Sequence, residues 1–207
     1  MQIACPWDPK IKGLFFFQNG ISISVSKIGQ FLSDVSKIRD MIPSSLCGVE
    51  LYYGFLMRYV KASSAYLGKQ EDSVDIEMTY YRANDPNTPR LYEDVLEEIE
   101  QMALSKYGGL PHWGKNPNIA FDGVTKKYSK YKAFLGAKAK YDSVGLFSNE
   151  WTDGVLGLSQ AGVIIKKDGC ALEGLCVCSE HEHCAPDKGY FCRPGRVYTR
   201  NIISQDT

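Results

Sequence analysis

The sequence predicts an α+β protein in which an antiparallel sheet carries helices on one face, followed by a cysteine-rich tail. Stretches that alternate apolar and polar residues, such as Val74–Arg82, are typical of half-buried strands. They are mixed with stretches that have one apolar helical face. Strands that follow one another through short connections favour antiparallel pairing. The tail is marked by cysteine, because five of the seven cysteines fall between Cys170 and Cys192.

The composition is that of an ordinary globular protein of 207 residues, with 44% apolar and 23% charged residues. Basic and acidic residues number 24 each, so the net charge is zero. A protein that binds nucleic acid or an anionic membrane surface would show a basic excess, so neither partner is expected. No apolar run is long enough to span a bilayer, and the first residues do not form a signal peptide. Dinucleotide-binding, P-loop and nucleophile-elbow motifs are also absent from the sequence.

The first elements are predicted to be a hairpin and a helix. Leu14–Gln18 is short and aromatic, Ile21–Val25 alternates, and Asn19–Gly20 between them predicts a two-residue turn. Ser26 is predicted to cap a helix that Pro43 ends. The apolar face of that helix consists of Ile28, Phe31, Leu32, Val35 and Ile38.

The middle of the chain predicts two strands and a second helix. Gly48–Lys61 is rich in β-favouring residues, and Val74–Arg82 places Asp75, Glu77, Thr79 and Tyr81 on the face opposite its apolar residues. Thr88 and Pro89 are predicted to start the next helix, and Gly108 to end it. Its apolar stripe is Leu91, Val95, Ile99, Met102 and Ala103. Its acidic residues are predicted to face solvent: Glu93, Asp94, Glu97, Glu98 and Glu100.

A third helix is predicted over Val124–Lys140, with apolar residues on one side and lysines on the other. The apolar side consists of Tyr128, Tyr131, Leu135 and Ala139. The lysines are Lys126, Lys127, Lys130, Lys132, Lys138 and Lys140. Gly154–Lys166 is predicted to hold one short strand near Val163.

The loop Leu110–Asn116 is the first candidate site, because it brings together the imidazole of His112, the indole of Trp113 and the ammonium of Lys115. The structural alternative is a loop anchored by tryptophan, with an exposed lysine. Arg58 is the second candidate, since it interrupts an apolar stretch. A charge there lies at a sheet edge, is paired, or points into a site, and an edge arginine that reaches water is the simplest case.

The cysteines of the tail permit two kinds of cross-link. They lie close in sequence to His181 and His183, and such a set can hold zinc in a reducing compartment or form disulfides in an oxidising one. The spacings match no standard pair of zinc ligands, so disulfides are favoured and no metal site is assigned. The disulfide candidates are Cys170, Cys176, Cys178, Cys184 and Cys192.

The sequence His-Trp-Gly-Lys-Asn at 112–116, together with Val49–Gly68 before it, resembles the plant L-gulono-1,4-lactone oxidases. The tail sequences Cys170–Cys178 and Gly189–Gly195 resemble the same plant branch. That family belongs to the aldonolactone oxidoreductases, flavoproteins of the vanillyl-alcohol-oxidase type. The resemblance implies a cap, or substrate, domain at residues 1–155 and a cysteine-rich tail at 156–207. The segment Phe147–Trp151 resembles the one where family members return to their FAD domain.

The resemblance implies an FAD-dependent oxidation of an aldono-1,4-lactone, of the L-gulono or D-arabinono type, in ascorbate biosynthesis. FAD would be bound mainly by an N-terminal domain outside this chain, and oxygen or cytochrome c would accept the electrons. The location implied is the secretory pathway, the extracellular space or a membrane surface. The alternative is a truncated cap domain that binds a partner without turnover.

Site residues are also implied by the resemblance. Arg58 and Lys115 would be catalytic, with Arg58 beside the substrate oxygen and Lys115 near the N1–C2 edge of the flavin. Thr79 and His112 would bind substrate, and His112, Trp113 and Lys115 would line the cofactor. In the family's Glu-x-Arg pair the glutamate would stand at position 56, where this chain has Leu56.

Overall fold

A computed structural model of the protein describes residues 16–46, 55–81, 85, 88–199 and 201–205. Its main sheet has four strands in the spatial order β2-β3-β1-β4, all antiparallel to their neighbours. These strands are β1 (Phe16–Ser24), β2 (Leu56–Val60), β3 (Ser73–Tyr81) and β4 (Leu110–Pro111). The α-helices are α1 (Val25–Met41), α2 (Glu93–Gln101), α3 (Tyr131–Tyr141) and α4 (Glu150–Val155). The tail contributes a two-stranded ribbon, β5 (Tyr190–Pro194) and β6 (Asn201–Gln205).

The core lies between one face of the sheet and the helices, which confirms the predicted α+β class. Ile21 and Ile23 of β1 and Ile76 and Met78 of β3 are buried on that face. They belong to one cluster with buried residues of α1 and α2: Phe31, Val35, Ile38, Val95 and Ile99. The alternation of the strands therefore directs apolar side chains to the helices and leaves the polar side chains on the opposite face. Within the described part of the chain, no helix has the length and apolarity to cross a membrane.

The predicted hairpin at Asn19–Gly20 is wrong, because β1 runs through both residues without a turn. It pairs with β3 residue by residue, from Phe16 opposite Tyr81 to Ser24 opposite Ser73. Nine residues of continuous pairing outweigh the local turn preference of the Asn-Gly pair. Helix α1 also begins earlier than predicted, since the N-cap is Ser24, whose hydroxyl accepts from the Ser26 amide.

Two further boundaries differ from the predictions. Helix α2 begins at Glu93, after Tyr92 with φ 53°, so Thr88 does not cap it, and Leu91 is 75% exposed. The third predicted helix is split into a 3-10 turn, Val124–Lys127, and α3, because Tyr128 is extended (φ −110°, ψ 111°). Lys127 is not on a solvated face, since its ammonium donates to the carbonyls of Leu104 and Gly109, both at 2.8 Å.

Other local predictions differ in part. Leu32 of α1 is 37% exposed, although Phe31, Val35 and Ile38 are buried as predicted. No strand forms in residues 154–166; Val163 instead reaches the main core from an irregular segment. Only Leu56–Val60 of the predicted strand Gly48–Lys61 is described as a strand, and residues 48–54 lie outside the described residues.

The acidic face of α2 is buried, which contradicts its predicted exposure. Glu93 pairs with Arg90, and Asp94 with Arg196 at 2.7 Å. Glu97 accepts from the Gln101 amide at 2.8 Å. A buried carboxylate is tolerated when it is paired or hydrogen-bonded, and these partners meet that condition. The helix is covered on this side because the tail packs on it.

Glu98 fixes the tail to α2. Its carboxylate accepts from three consecutive backbone amides, those of Arg196, Val197 and Tyr198, at 3.0, 2.6 and 2.7 Å. Gly195 precedes them, and a Cβ there would lie 2.9 Å from the Glu98 Oε1 atom. Glycine at 195 therefore allows the close approach of the tail backbone to the carboxylate.

Two disulfides cross-link the tail, Cys170–Cys176 and Cys178–Cys192. Four of the five candidate cysteines are therefore paired as predicted. The prediction for Cys184 is wrong in the described part of the chain, where its buried thiol has no disulfide partner. Burial, with the nearby Glu97 carboxylate, raises the pKa of Cys184 to about 12, so the thiol is unreactive near neutral pH.

Native protein treated with iodoacetamide at pH 7.5 should stay unmodified at Cys184 and become modified there after unfolding, because the thiol is buried and protonated. Peptide mapping without reduction should recover the linked pairs Cys170–Cys176 and Cys178–Cys192. A cross-linked peptide that contains Cys184, or rapid alkylation of Cys184 in the native state, would contradict this arrangement.

Candidate functional site

The polar face of the main sheet carries the charged residues of the candidate site. On β3, Asp75, Glu77 and Thr79 alternate with buried Ile76 and Met78. Strand pairing places Arg58 and Leu56 of β2 opposite Asp75 and Glu77, respectively. On the other side of β3, Gln18, Gly20 and Ser22 of β1 lie opposite Thr79, Glu77 and Asp75. All these residues therefore share one face of the sheet, away from the helices.

Glu77 lies between the two residues that were predicted to be catalytic. One carboxylate oxygen, Oε1, accepts from the Arg58 guanidinium, and the other, Oε2, lies 2.8 Å from the Lys115 ammonium. The Gln18 amide adds a longer hydrogen bond of 3.5 Å to Oε2. Glu77 is only 9% exposed, whereas Arg58 is 55% and Lys115 22% exposed. A single buried carboxylate therefore holds together two cations from different parts of the chain.

Arg58 fits two of the three cases that the sequence allowed, an edge position and an ion pair. Strand β2 is at the edge of the sheet, so the arginine reaches water, and it is also ion-paired. A second ion pair on the same face joins Lys69 and Asp75 at 2.9 Å. Asp75 also accepts from the Ser22 hydroxyl at 2.5 Å.

The His-Trp-Gly-Lys-Asn loop is held against β1 at Gly20. The His112 amide donates to the Gly20 carbonyl at 2.7 Å, and the Asn116 side-chain oxygen accepts from the amides of Gly20 and His112 at 3.2 and 3.1 Å. A Cβ at Gly20 would lie 3.0 Å from the His112 Cβ and 3.4 Å from the Lys115 Cδ. Glycine at this position therefore lets the loop lie over β1 and lets Lys115 reach Glu77.

His112 is set up as a neutral hydrogen-bond donor. Its Nδ1 atom accepts from the Gly114 amide at 3.1 Å, so the neutral ring carries its proton on Nε2. Partial desolvation, followed by the Lys115 and Lys69 ammonium groups, lowers the pKa of His112. Desolvation and the Arg58 guanidinium likewise lower the pKa of Lys115. The site therefore combines two cationic donors with one uncharged donor.

Glu100 of α2 lies behind this loop, where its side chain is buried beside those of Asn19 and Asn116. Burial raises the pKa of Glu100 to about 7, although Arg90 and the two asparagine side chains act in the opposite direction. Asn116 also holds the loop to β1, so Glu100 lies beside a residue that supports the candidate site.

Trp113 anchors the loop instead of facing the charged residues. Its ring packs against Phe121 and Tyr128, with centroids 5.5 and 6.1 Å apart. On this side lies an apolar cavity of about 430 Å³. Its lining includes Leu67, Trp113, Phe134, Phe147, Trp151 and Leu156. The cavity adjoins the anchor and has an apolar lining, so the charged sheet face, with its convergent donors, is the better candidate for chemistry.

The structure brings Arg58, Lys115 and His112 to one sheet face, and Thr79 lies on that face two residues beyond Glu77 on β3. The roles predicted for Arg58, Thr79, His112, Trp113 and Lys115 stay predictions. Sequence reasoning missed Glu77, Gly20 and Glu100. The alternation of β3 was the available signal for Glu77, but its partners follow only from the strand register.

Comparison with known proteins gives two family matches that together cover most of the chain. Residues 13–155 match the family described as D-arabinono-1,4-lactone oxidase. Residues 167–203 match the family described as L-gulonolactone oxidase 2-like, C-terminal domain.

Individual relatives come mainly from Arabidopsis thaliana. The chain is 59% identical to L-gulonolactone oxidase 5 over 94% of its own length and 33% of the relative. It is 57% identical to a probable truncated L-gulonolactone oxidase 7, mitochondrial, over 94% of its own length and 77% of that relative. L-gulonolactone oxidase of Mus musculus is 29% identical over 52% of the chain and 24% of the relative. The chain thus spans about a third of the length of the first curated relatives that it matches.

Replacing Glu100 by glutamine should remove a pH-dependent loss of stability. With its pKa raised to about 7 in the folded state, Glu100 binds a proton more tightly folded than unfolded, so it lowers stability as the pH rises from about 4.5 to 7. Urea unfolding at pH 5 and 8 should show the Glu100→Gln protein more stable than wild type at pH 8, by on the order of 3 kcal/mol at most. An equal fall in stability for both proteins would contradict this assignment. Glu180→Gln, at an exposed position, is the control.

Proposed function

The chain belongs to the D-arabinono-1,4-lactone oxidase family, and on that premise we propose that it forms the substrate-facing C-terminal part of an FAD-dependent enzyme that oxidises an aldono-1,4-lactone. The observation that carries the proposal is the pair of cations, Arg58 and Lys115, joined by Glu77 on an open sheet face. Because the chain spans a third of most relatives, the rest of the site would come from the longer protein.

The donors of this face suit a polyhydroxylated, uncharged ring. Oxidation removes a hydride from the carbon that bears a hydroxyl, and the hydroxyl proton is released to solvent water as the carbonyl forms. A guanidinium beside that oxygen lowers the cost of negative charge on it, and we assign this role to Arg58. The Nε2–H of neutral His112 and the hydroxyl of Thr79 supply further hydrogen bonds that orient the ring.

The donor set also fits a flavin. FAD, when bound, would accept the hydride and gain negative charge at the N1–C2 edge of its ring. Lys115 would hold that edge, because its ammonium is a fixed positive charge whose chain is fixed over Gly20. His112 would line the same side of the site. Trp113 would support both residues through the loop, since its ring packs on Phe121 and Tyr128.

An exposed apolar stretch supports the presence of a further protein surface. Tyr141, Val144, Leu146 and Phe147 are each more than three-quarters exposed. Contiguous exposed apolar side chains are typical of surfaces that another element covers. We assign this surface to the FAD-binding part of the longer protein.

The two disulfides support folding in an oxidising compartment, and a secretory or membrane-associated location is part of the proposal. We propose oxygen or cytochrome c as the electron acceptor. The residues that control the access of oxygen would surround the flavin, so activity has to be compared with both acceptors.

A chimera tests the proposal. The matching segment of Arabidopsis L-gulonolactone oxidase 5 is replaced by this chain, with which it shares 59% identity over 195 residues. The purified chimera should carry FAD and reduce cytochrome c, or consume oxygen, when L-gulono-1,4-lactone or D-arabinono-1,4-lactone is added. A chimera that holds FAD but oxidises neither lactone would contradict the proposal and favour a cap domain without turnover.

In the same chimera, Lys115→Ala should slow flavin reduction by the lactone at least about tenfold, because it removes the fixed charge that stabilises the reduced state. The dissociation constant of the lactone should change less. Rapid-mixing absorbance measures both quantities. Lys132→Ala, on the exposed side of α3, is the matched control and should react as wild type. An unchanged reduction rate in Lys115→Ala would remove Lys115 from the mechanism.

A further inference from the structure

Glu77 occupies the place where an anionic ligand would bind. A guanidinium and an ammonium that converge on one point form a strong site for a carboxylate. Here that point is filled by the carboxylate of Glu77, whose two oxygens each meet one of the two cations. The ligand that such a pair would otherwise attract is therefore supplied by the protein itself.

The surroundings of Glu77 keep its carboxylate in this position. On one side, Gly20 of β1 has no side chain that could separate it from Lys115, and a Cβ there would crowd the lysine. On the other side, Leu56 of β2 lies directly opposite and carries no charge. Burial of Glu77 between the neighbouring strands, together with the Gln18 amide, restricts its rotation. The carboxylate is thus a fixed part of the site floor.

This arrangement has a consequence for ligand choice that rests on the proposed function. An aldonolactone opens in water by hydrolysis to its aldonate, which keeps the hydroxyls of the lactone, gains the hydroxyl released from the ring oxygen and carries a carboxylate. We infer that Glu77 makes the site selective for the closed, uncharged lactone by pairing with both Arg58 and Lys115. Its carboxylate occupies the point where the two cations converge and lowers their joint charge from +2 to +1, so the open-chain aldonate is attracted less strongly there. Glu77 is therefore a specificity residue, which acts through the two cations.

The contrast with Asp75 makes the inference specific. Asp75 lies on the same sheet face, two residues away, and is also a paired carboxylate. Its partners are Lys69 and the Ser22 hydroxyl, at 2.9 and 2.5 Å, instead of the two cations that Glu77 joins. Removing the charge of Asp75 raises the local net charge by as much as removing that of Glu77. It leaves the ion pairs of Arg58 and Lys115 with Glu77 intact.

The test uses the 207-residue chain itself, with L-gulonate and L-gulono-1,4-lactone as probes. Binding is followed by the backbone amide signals of residues 112–116 in ¹⁵N-labelled protein. Wild type should bind the lactone at least about tenfold more tightly than gulonate. Glu77→Gln should bind gulonate at least about tenfold more tightly than wild type, because one charge-assisted interaction of this kind is worth that factor or more. Asp75→Asn, which leaves both ion pairs of Glu77 in place, should gain clearly less gulonate affinity than Glu77→Gln. The double variant Glu77→Gln/Arg58→Gln should lose the gain.

The inference would be overturned if Glu77→Gln bound gulonate no more tightly than wild type does. It would also be overturned if Asp75→Asn gained as much gulonate affinity as Glu77→Gln. If Glu77→Gln does not fold, the wild-type comparison still decides, since equal affinity for gulonate and lactone would also overturn it. These measurements need no flavin. Loss of lactone oxidation in the chimera, with the gulonate gain present, would count against the proposed function and leave the charge pairing standing.

Discussion

The ion-paired carboxylate of Glu77 is the interaction on which the candidate site depends. It joins Arg58 of an edge strand to Lys115 of a loop 57 positions further along the sequence. Neither cation would have a defined position without it, because long basic side chains at a sheet surface lose considerable rotational freedom when they are fixed. Gly20 completes the arrangement from the third strand, since it leaves room for the loop to lie over the sheet. Three strands and one loop therefore contribute to a single charged centre.

Helix α2 links this centre to the tail. Its acidic residues are buried because Arg90, Arg196 and the tail amides supply partners for them. Glu98 holds the tail, while Glu100 on the same helix interacts with Asn116 of the loop. Glu100 differs from its neighbours in having its pKa raised by burial, to about 7. The tail thus covers the helix that supports the loop from behind.

The sequence predicted what depends on local periodicity. The alternation of β3, the apolar faces of α1 and α2, and the α+β class all follow from repeats of two or 3.6 residues. Two of the wrong predictions depend instead on contacts between residues far apart in the sequence. The turn at Asn19–Gly20 was outweighed by pairing with a strand more than fifty residues away, and the acidic face of α2 is covered by residues about a hundred positions later. Likewise, Arg58 and Lys115 were singled out from their neighbours in sequence and from a family resemblance, but the identity of Glu77 as their common partner requires the register of three strands.

The chain contributes one side of a binding site. This side consists of an open charged face, a loop held over it and an exposed apolar stretch beside the loop. The central claim is that an aldonolactone binds on the polar face, between Arg58 and Lys115, and not in the apolar cavity beside Trp113. The most direct measurement is amide chemical-shift mapping of the labelled chain with L-gulono-1,4-lactone. The largest changes should fall on residues 58, 77, 79, 112 and 115. Changes that cluster instead at residues 134, 147 and 151 around the cavity, or no saturable change at all, would contradict the account.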